Sequence, residues 1–196
     1  MRALVRCLTV AGALALALAS IASAQMPGEE MSTRLISIGI GGGVSVPVND
    51  AKDAFKNGVS GQGFVRLNLK MLPIAPRVEF SFSKFDLDEV KVGTPGTQQI
   101  LSGLATAQFF LMHGSVRPYI VAGIGAYNTK TETEGINATS TSATDFGING
   151  GAGLVVRLGH LLSAYAEGRV DNVYTKSGFI DSDQIQVVPV NFGIVF

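Results

Sequence analysis

Residues 161–174 read Leu-Leu-Ser-Ala-Tyr-Ala-Glu-Gly-Arg-Val-Asp-Asn-Val-Tyr, and their alternation decides the fold. Successive side chains of an extended strand point to opposite sides. Leu162, Ala164, Ala166 and Val170 therefore share one face, and Ser163, Glu167, Arg169 and Asp171 share the other. A slip of one residue would exchange the two faces. If the apolar face meets hydrocarbon, that slip would bring an arginine there at about 2–4 kcal/mol near the bilayer midplane. The charges pin the register.

The same period of two recurs on both sides of this stretch. Residues 34–48 set Ile36, Ile38, Ile40, Val44 and Val46 against Ser37, Gly39, Gly41, Gly43 and Ser45. Residues 59–70 set Val65, Leu67 and Leu69 against Gln62, Arg66 and Asn68, and residues 77–85 set Val78, Phe80 and Phe82 against Arg77, Glu79, Ser81 and Ser83. In residues 99–112, Leu101, Ala105, Ala107, Phe109 and Leu111 oppose Ser102, Thr106 and Gln108. In residues 144–158, Phe146, Ile148, Ala152, Leu154 and Val156 oppose Asp145, Asn149 and Arg157. Residues 117–128 are strand-like but apolar or glycine on both faces, which leaves their inner face open. Residues 185–196 close the chain with Val188, Val190, Phe192, Ile194 and Phe196 on one face.

Eight such segments, each near the ~9–11 residues of a tilted membrane strand, predict an all-β, eight-stranded antiparallel up-and-down transmembrane β-barrel. The connections alternate in length. Short turns are expected at 71–76, 113–116 and 159–160, and long polar loops at 49–58, 86–98, 129–143 and 175–184. Short turns on one side and long loops on the other suit periplasmic and external ends.

The first residues are read as an address. Arg2 and Arg6 precede an apolar run from Cys7 to Leu18, and Ala22-Ser23-Ala24 offers a small-residue cleavage site. Residues 1–24 are thus expected to be a cleavable signal peptide and residues 25–196 the barrel domain. The run is short for a spanning helix, which needs roughly 20 apolar residues. Cys7, the sole cysteine, leaves with it. What remains has 13 basic and 15 acidic residues, a net charge of 13 − 15 = −2, which gives no electrostatic footing for nucleic acid.

Charged residues are 15% of the chain, against roughly 25% in soluble proteins. A closed barrel in lipid satisfies every strand's backbone groups without water. A soluble periplasmic small-ligand barrel would instead turn its apolar face inward. The Gly-, Ser-, Asn- and Gln-rich face would then be an unusual soluble surface, short of Lys and Glu. The membrane reading is preferred.

Two segments resemble a known family. The Arg117-Pro118-Tyr119 strand with Gly123 and Gly125, and the Ala166-Glu167-Gly168-Arg169 strand, are similar to OmpA/OmpX-type outer-membrane barrel domains. The alternation of Val188, Val190, Phe192 and Ile194 to a terminal Phe196 looks like that family's C-terminal assembly signal, with Asn191 where the pattern has glycine. The resemblance implies a stand-alone barrel in the cell outer membrane, without a peptidoglycan-binding domain. Its partners would be outer-membrane lipid and lipopolysaccharide, and the assembly machinery during biogenesis.

Candidate chemistry concentrates on the inner face. Arg66, Arg77, Glu79, Arg157, Glu167, Arg169 and Asp171 all take the proposed lumen parity. They are expected to form an ion-pair network that fills the lumen, with a narrow ion channel gated by partner exchange as the alternative. No catalysis, cofactor or metal is expected: His113 and His160 lie at turns without acidic neighbours. The glycine groups 41–43 and 150–153 lack the ending and setting of a phosphate loop and read as small lumen residues. Asn137-Ala138-Thr139 is a chance sequon. Tyr119, Tyr127, Tyr174, Phe80, Phe109 and Phe146 are candidates for interfacial girdles. The long loops hold nine acids (Asp50, Asp53, Asp86, Asp88, Glu89, Glu132, Glu134, Asp181, Asp183) and five bases (Lys52, Lys56, Lys91, Lys130, Lys176), a surface open to an external ligand.

Overall fold

The computed structural model describes residues 34–48, 55–69, 72–87, 95–133, 139–159, 161–174 and 184–196. The expected signal peptide, His160, Asn137 and seven of the nine loop acids (Asp50, Asp53, Asp88, Glu89, Glu134, Asp181 and Asp183) lie outside the described residues. Eight strands follow one another: β1 (Ile36–Val48), β2 (Gly58–Leu67), β3 (Ile74–Asp86), β4 (Gly96–Phe110), β5 (Val116–Thr133), β6 (Thr139–Arg157), β7 (Ser163–Tyr174) and β8 (Gln184–Val195). Each pairs antiparallel with the next, and β1 pairs with β8 from Gly39↔Val195 to Val48↔Gln186. The sheet is closed and presents no edge.

Parity sorts the side chains as the alternation requires. Phe80 is 68% and Ile40 61% exposed on the outer wall, whereas Glu79 and Tyr119 inside are 0% and 1% exposed. An outer wall this apolar is a surface for hydrocarbon. The soluble ligand-barrel reading, which needs those side chains inside, is overturned.

Several expectations need correction. The loop foreseen at 129–143 is mostly strand: β5 runs to Thr133 and β6 resumes at Thr139, paired through Thr131↔Thr141 and Thr133↔Thr139. Apolar alternation stops there because both faces carry polar side chains, with Thr131 buried beside Gln98 on the inner face and Lys130 and Glu132 on the outer, while threonine still suits a pleated backbone. β3 and β4 begin three residues earlier than expected, at Ile74 and Gly96. Pro76 is accommodated because the β2–β3 ladder ends at Arg66↔Arg77, so its missing N–H breaks no bond to β2. The β4–β5 turn carries Gly114 at φ 133°, a conformation side chains with a Cβ rarely adopt.

The open question of β5 is settled by the same register: Arg117, Tyr119, Val121, Gly123, Gly125 and Tyr127 face inward, and Ile120, Ala122 and Ile124 outward. Tyr119 and Tyr127 are therefore lumen residues, not girdle aromatics. Tyr174, Phe80, Phe109 and Phe146 do face outward.

Candidate functional site

The lumen is stratified along the barrel axis. Toward the long-connection end lies an apolar layer that includes Phe55, Phe85, Leu87, Ile100, Tyr127 and Ile185. Toward the short-turn end lies a second, of Phe64, Tyr119, Val121, Val155, Tyr165 and Val195, with Phe110 against it. Rings enter because glycines face them. Phe64 pairs in register with Gly39, Tyr119 with Gly153 and Tyr165 with Gly193. A Cβ on any of these three glycines would overlap the facing ring.

Between the two layers sits a charged cluster. Alternation puts Arg77 and Glu79 on the inner side of β3, and Glu167, Arg169 and Asp171 on the inner side of β7. These strands stand four places apart in a ring of eight, so their side chains meet across the full bore. Arg77 donates from Nη1 and Nη2 to Glu167 Oε2 and Oε1, at 2.9 and 3.0 Å. Its Nη2 lies 2.6 Å from Glu79 Oε2, and its Nε donates to Thr106 Oγ1 at 3.1 Å. Arg169 donates from Nη1 to Glu79 Oε1, and from Nε to Asp171 Oδ1 at 2.8 Å. It lies 3.6 Å from Glu167 Oε1, closing a ring of two arginines and two glutamates. Tyr119 Oη donates to Glu167 Oε2 at 2.8 Å.

The electrostatics follow from burial. The four side chains of the ring are 0–1% exposed. Charges so far from water are tolerable only because each carboxylate meets a guanidinium. The Arg77 guanidinium also stacks 4.5 Å from the Phe64 ring centroid, which ties the charged layer to the aromatic one below.

Two of the seven residues expected in the network stand apart from it. Arg66 donates to the neutral amides of Asn68 (2.9 Å) and Gln108 (3.1 Å), and lies 5.4 Å from the Phe110 ring centroid. Arg157 ends β6, opposite Ser163, near the short turns. Both have the inner parity, but each sits nearer the short-turn end than the charged layer, so parity alone over-collected them. Tyr119, Thr106 and the apolar layers were missed as a site. The legible signal was an aromatic in one segment with a glycine at its register partner, which becomes readable only once strands are paired. Among the described residues no group of three His, Cys, Asp or Glu is placed to hold a metal ion.

The comparisons agree with this architecture. The model of the outer membrane protein β-barrel domain family matches residues 11–196. No curated protein matches the sequence significantly. Among solved structures, the fold is similar to that of the Neisserial surface protein A (TM-score 0.61, 11% identity, covering 83% of this chain and 96% of that one). It is similar to a major outer membrane protein of Thermus thermophilus (TM-score 0.59, 11% identity, 83% and 99%). It is also similar to the attachment invasion locus protein of Yersinia pestis, solved with a heparin analogue (TM-score 0.56, 20% identity, 82% and 97%).

Proposed function

The chain belongs to the outer membrane protein β-barrel domain family, and from that premise we propose that it is a closed scaffold whose work is done at its surface. The protein is an integral outer-membrane barrel. One observation carries the finer reading: the ion-pair cluster spans the bore from β3 to β7 and lies between two apolar layers. An ion entering the lumen would have to cross both layers and displace paired charges, each step costly in a medium poor in water. The role left to such a barrel is structural, with the external strand ends and loops displayed to an outside ligand.

Planar-bilayer recordings test this. The purified barrel is expected to add no conductance above the bare membrane, and a reproducible channel would retire the reading. A second reading, a narrow channel opened by partner exchange, draws on one feature: Arg169 already lies among Glu79, Glu167 and Asp171. For that reading, a conductance abolished by Glu79→Ala or Arg169→Ala is required.

Two further assignments belong to the same proposal. The outward row Val188, Val190, Phe192, Ile194 and Phe196 would serve as the signal read by the outer-membrane assembly machinery, and residues 1–24 as the export signal. No catalytic role is assigned; His113 is exposed in the β4–β5 turn.

A further inference from the structure

The bore at the short-turn end gathers arginines without gathering acids. The aspartates and glutamates among the described residues are Glu79, Asp86, Glu132, Asp145, Glu167 and Asp171. Glu79, Glu167 and Asp171 are held in the charged layer, and Asp86, Glu132 and Asp145 lie toward the long-connection end. On the short-turn side of that layer, β2 brings Arg66, β5 brings Arg117 and β6 brings Arg157 to inward positions. Arg117 stands opposite Val155, so Arg157 follows one inward position nearer the mouth. There its backbone N–H donates to Ser115 O at 2.8 Å.

Phe110 holds the first two together. The guanidinium carbon of Arg66 lies 5.4 Å from the centroid of that ring, and that of Arg117 lies 4.4 Å from it. A ring face attracts cations through its quadrupole but carries no charge to neutralise them. Arg66 is aimed further by the neutral amides of Asn68 and Gln108, which accept from its Nε and Nη1 at 2.9 and 3.1 Å. A guanidinium has more N–H donors than these bonds use. Arg66 therefore keeps its Nη2 donors, and Arg117 its whole fork, without an acceptor among the described residues. Arg66 is 3% and Arg117 9% exposed, and Asn68 beyond them is half-buried, so the site opens to water toward the short turns. The charged layer, two arginines against three carboxylates, has a net charge of 2 − 3 = −1 and does not offset both. A buried charge left without a counter-charge is costly.

We propose that this mouth binds the phosphate group of a small soluble anion between Arg66 and Arg117. The planar fork of a guanidinium presents parallel donors that match phosphate oxygens, and such charge-assisted bonds are short and strong. A phosphate dianion balances both arginines at once, whereas a carboxylate balances one and leaves the other. The donors face the bore, so the occupant enters from water in the mouth and not from the bilayer around the wall. With the short turns on the periplasmic side, the periplasm supplies it.

Calorimetric titration of inorganic phosphate into the protein tests this, in nanodiscs of phosphatidylcholine, which brings no competing anionic headgroup. One saturable site is expected, with acetate competing poorly. Arg117→Gln should weaken it about tenfold, as the loss of a hydrogen bond to a charged group does, and Arg66→Gln likewise. Arg117→Lys, which keeps the charge but not the fork, should fall between Arg117→Gln and the unaltered protein. Lys84→Gln with Lys130→Gln, at the opposite end of the barrel, should leave the affinity unchanged. Absence of saturation, acetate binding as tightly as phosphate, undiminished affinity in both arginine variants, or a loss in the lysine variant overturns the proposal. Arg117 touches the Phe110 ring and none of the charged layer, and unchanged heat-dependent gel mobility shows its variants folded. A conducting barrel would retire the closed-scaffold reading and leave this one standing.

Discussion

The lumen and the outer rim of this barrel use the same residue types to opposite ends. Inside, Arg77, Glu79, Glu167 and Arg169 are sealed from water, and each has its partners within a closed ring. At the rim, Lys130 and Glu132 pair at 2.5 Å yet remain 45% and 42% exposed. A charge in the first setting has nowhere else to go, so its loss strands its neighbours. A charge in the second exchanges its partner for water or ion at little cost. Burial, not pairing distance, sets the effect of losing one.

The sharpest way to break the contrast is Arg169→Ala. It removes the guanidinium shared by Glu79, Glu167 and Asp171, and is expected to destabilise the barrel by about 3–5 kcal/mol, the usual cost of orphaning a buried charge. Urea unfolding in bilayers, followed by the loss of heat-dependent gel mobility, measures it; a loss below 1 kcal/mol would make the cluster no different from the rim. Next comes Val170→Arg, one residue along β7 and on the outer wall. The same side chain that stabilises at 169 should cost about 2–4 kcal/mol at 170, facing lipid. An unchanged unfolding midpoint would place that face in water.

Tyr119→Phe sharpens the comparison within the lumen. It leaves the ring against Gly153 but removes the donor to Glu167 Oε2. The loss should be about 1.5–3 kcal/mol, the range for a hydrogen bond to a charged group, read by the same unfolding curve. Lys130→Ala is the smallest. The exposed pair it breaks is worth about 0–1 kcal/mol, so the unfolding midpoint should hardly move.

Much of this was legible before any strand was paired. The segment 161–174 named its own faces, because Glu167, Arg169 and Asp171 can share only one side of a strand, and that side proved to be the lumen. The segment 117–128 could not. Glycine and alanine accompany Tyr119, Val121 and Ile124 on both faces, and no penalty distinguishes a one-residue slip until Arg117 and Tyr119 find their neighbours. The reach of β5 and β6 to Thr133 and Thr139 was hidden for the opposite reason: outside the membrane both faces of a hairpin are polar, and period two leaves no trace in hydropathy.

Period two, low charge and the even alternation of connection length are properties of the chain itself, and they determined the strand number, the lipid-facing wall and the direction of every face but that of residues 117–128. Which charges meet is a property of closure. Arg77 and Glu167 are ninety residues apart, and nothing local distinguishes them from Arg66 or Arg157. They touch because a ring of eight strands sets β3 opposite β7 at matching height, and the bore is narrow enough for two side chains to span it. The mouth that gathers Arg66 with Arg117 about the Phe110 ring arises the same way, from lateral register that brings together residues no sequence window contains.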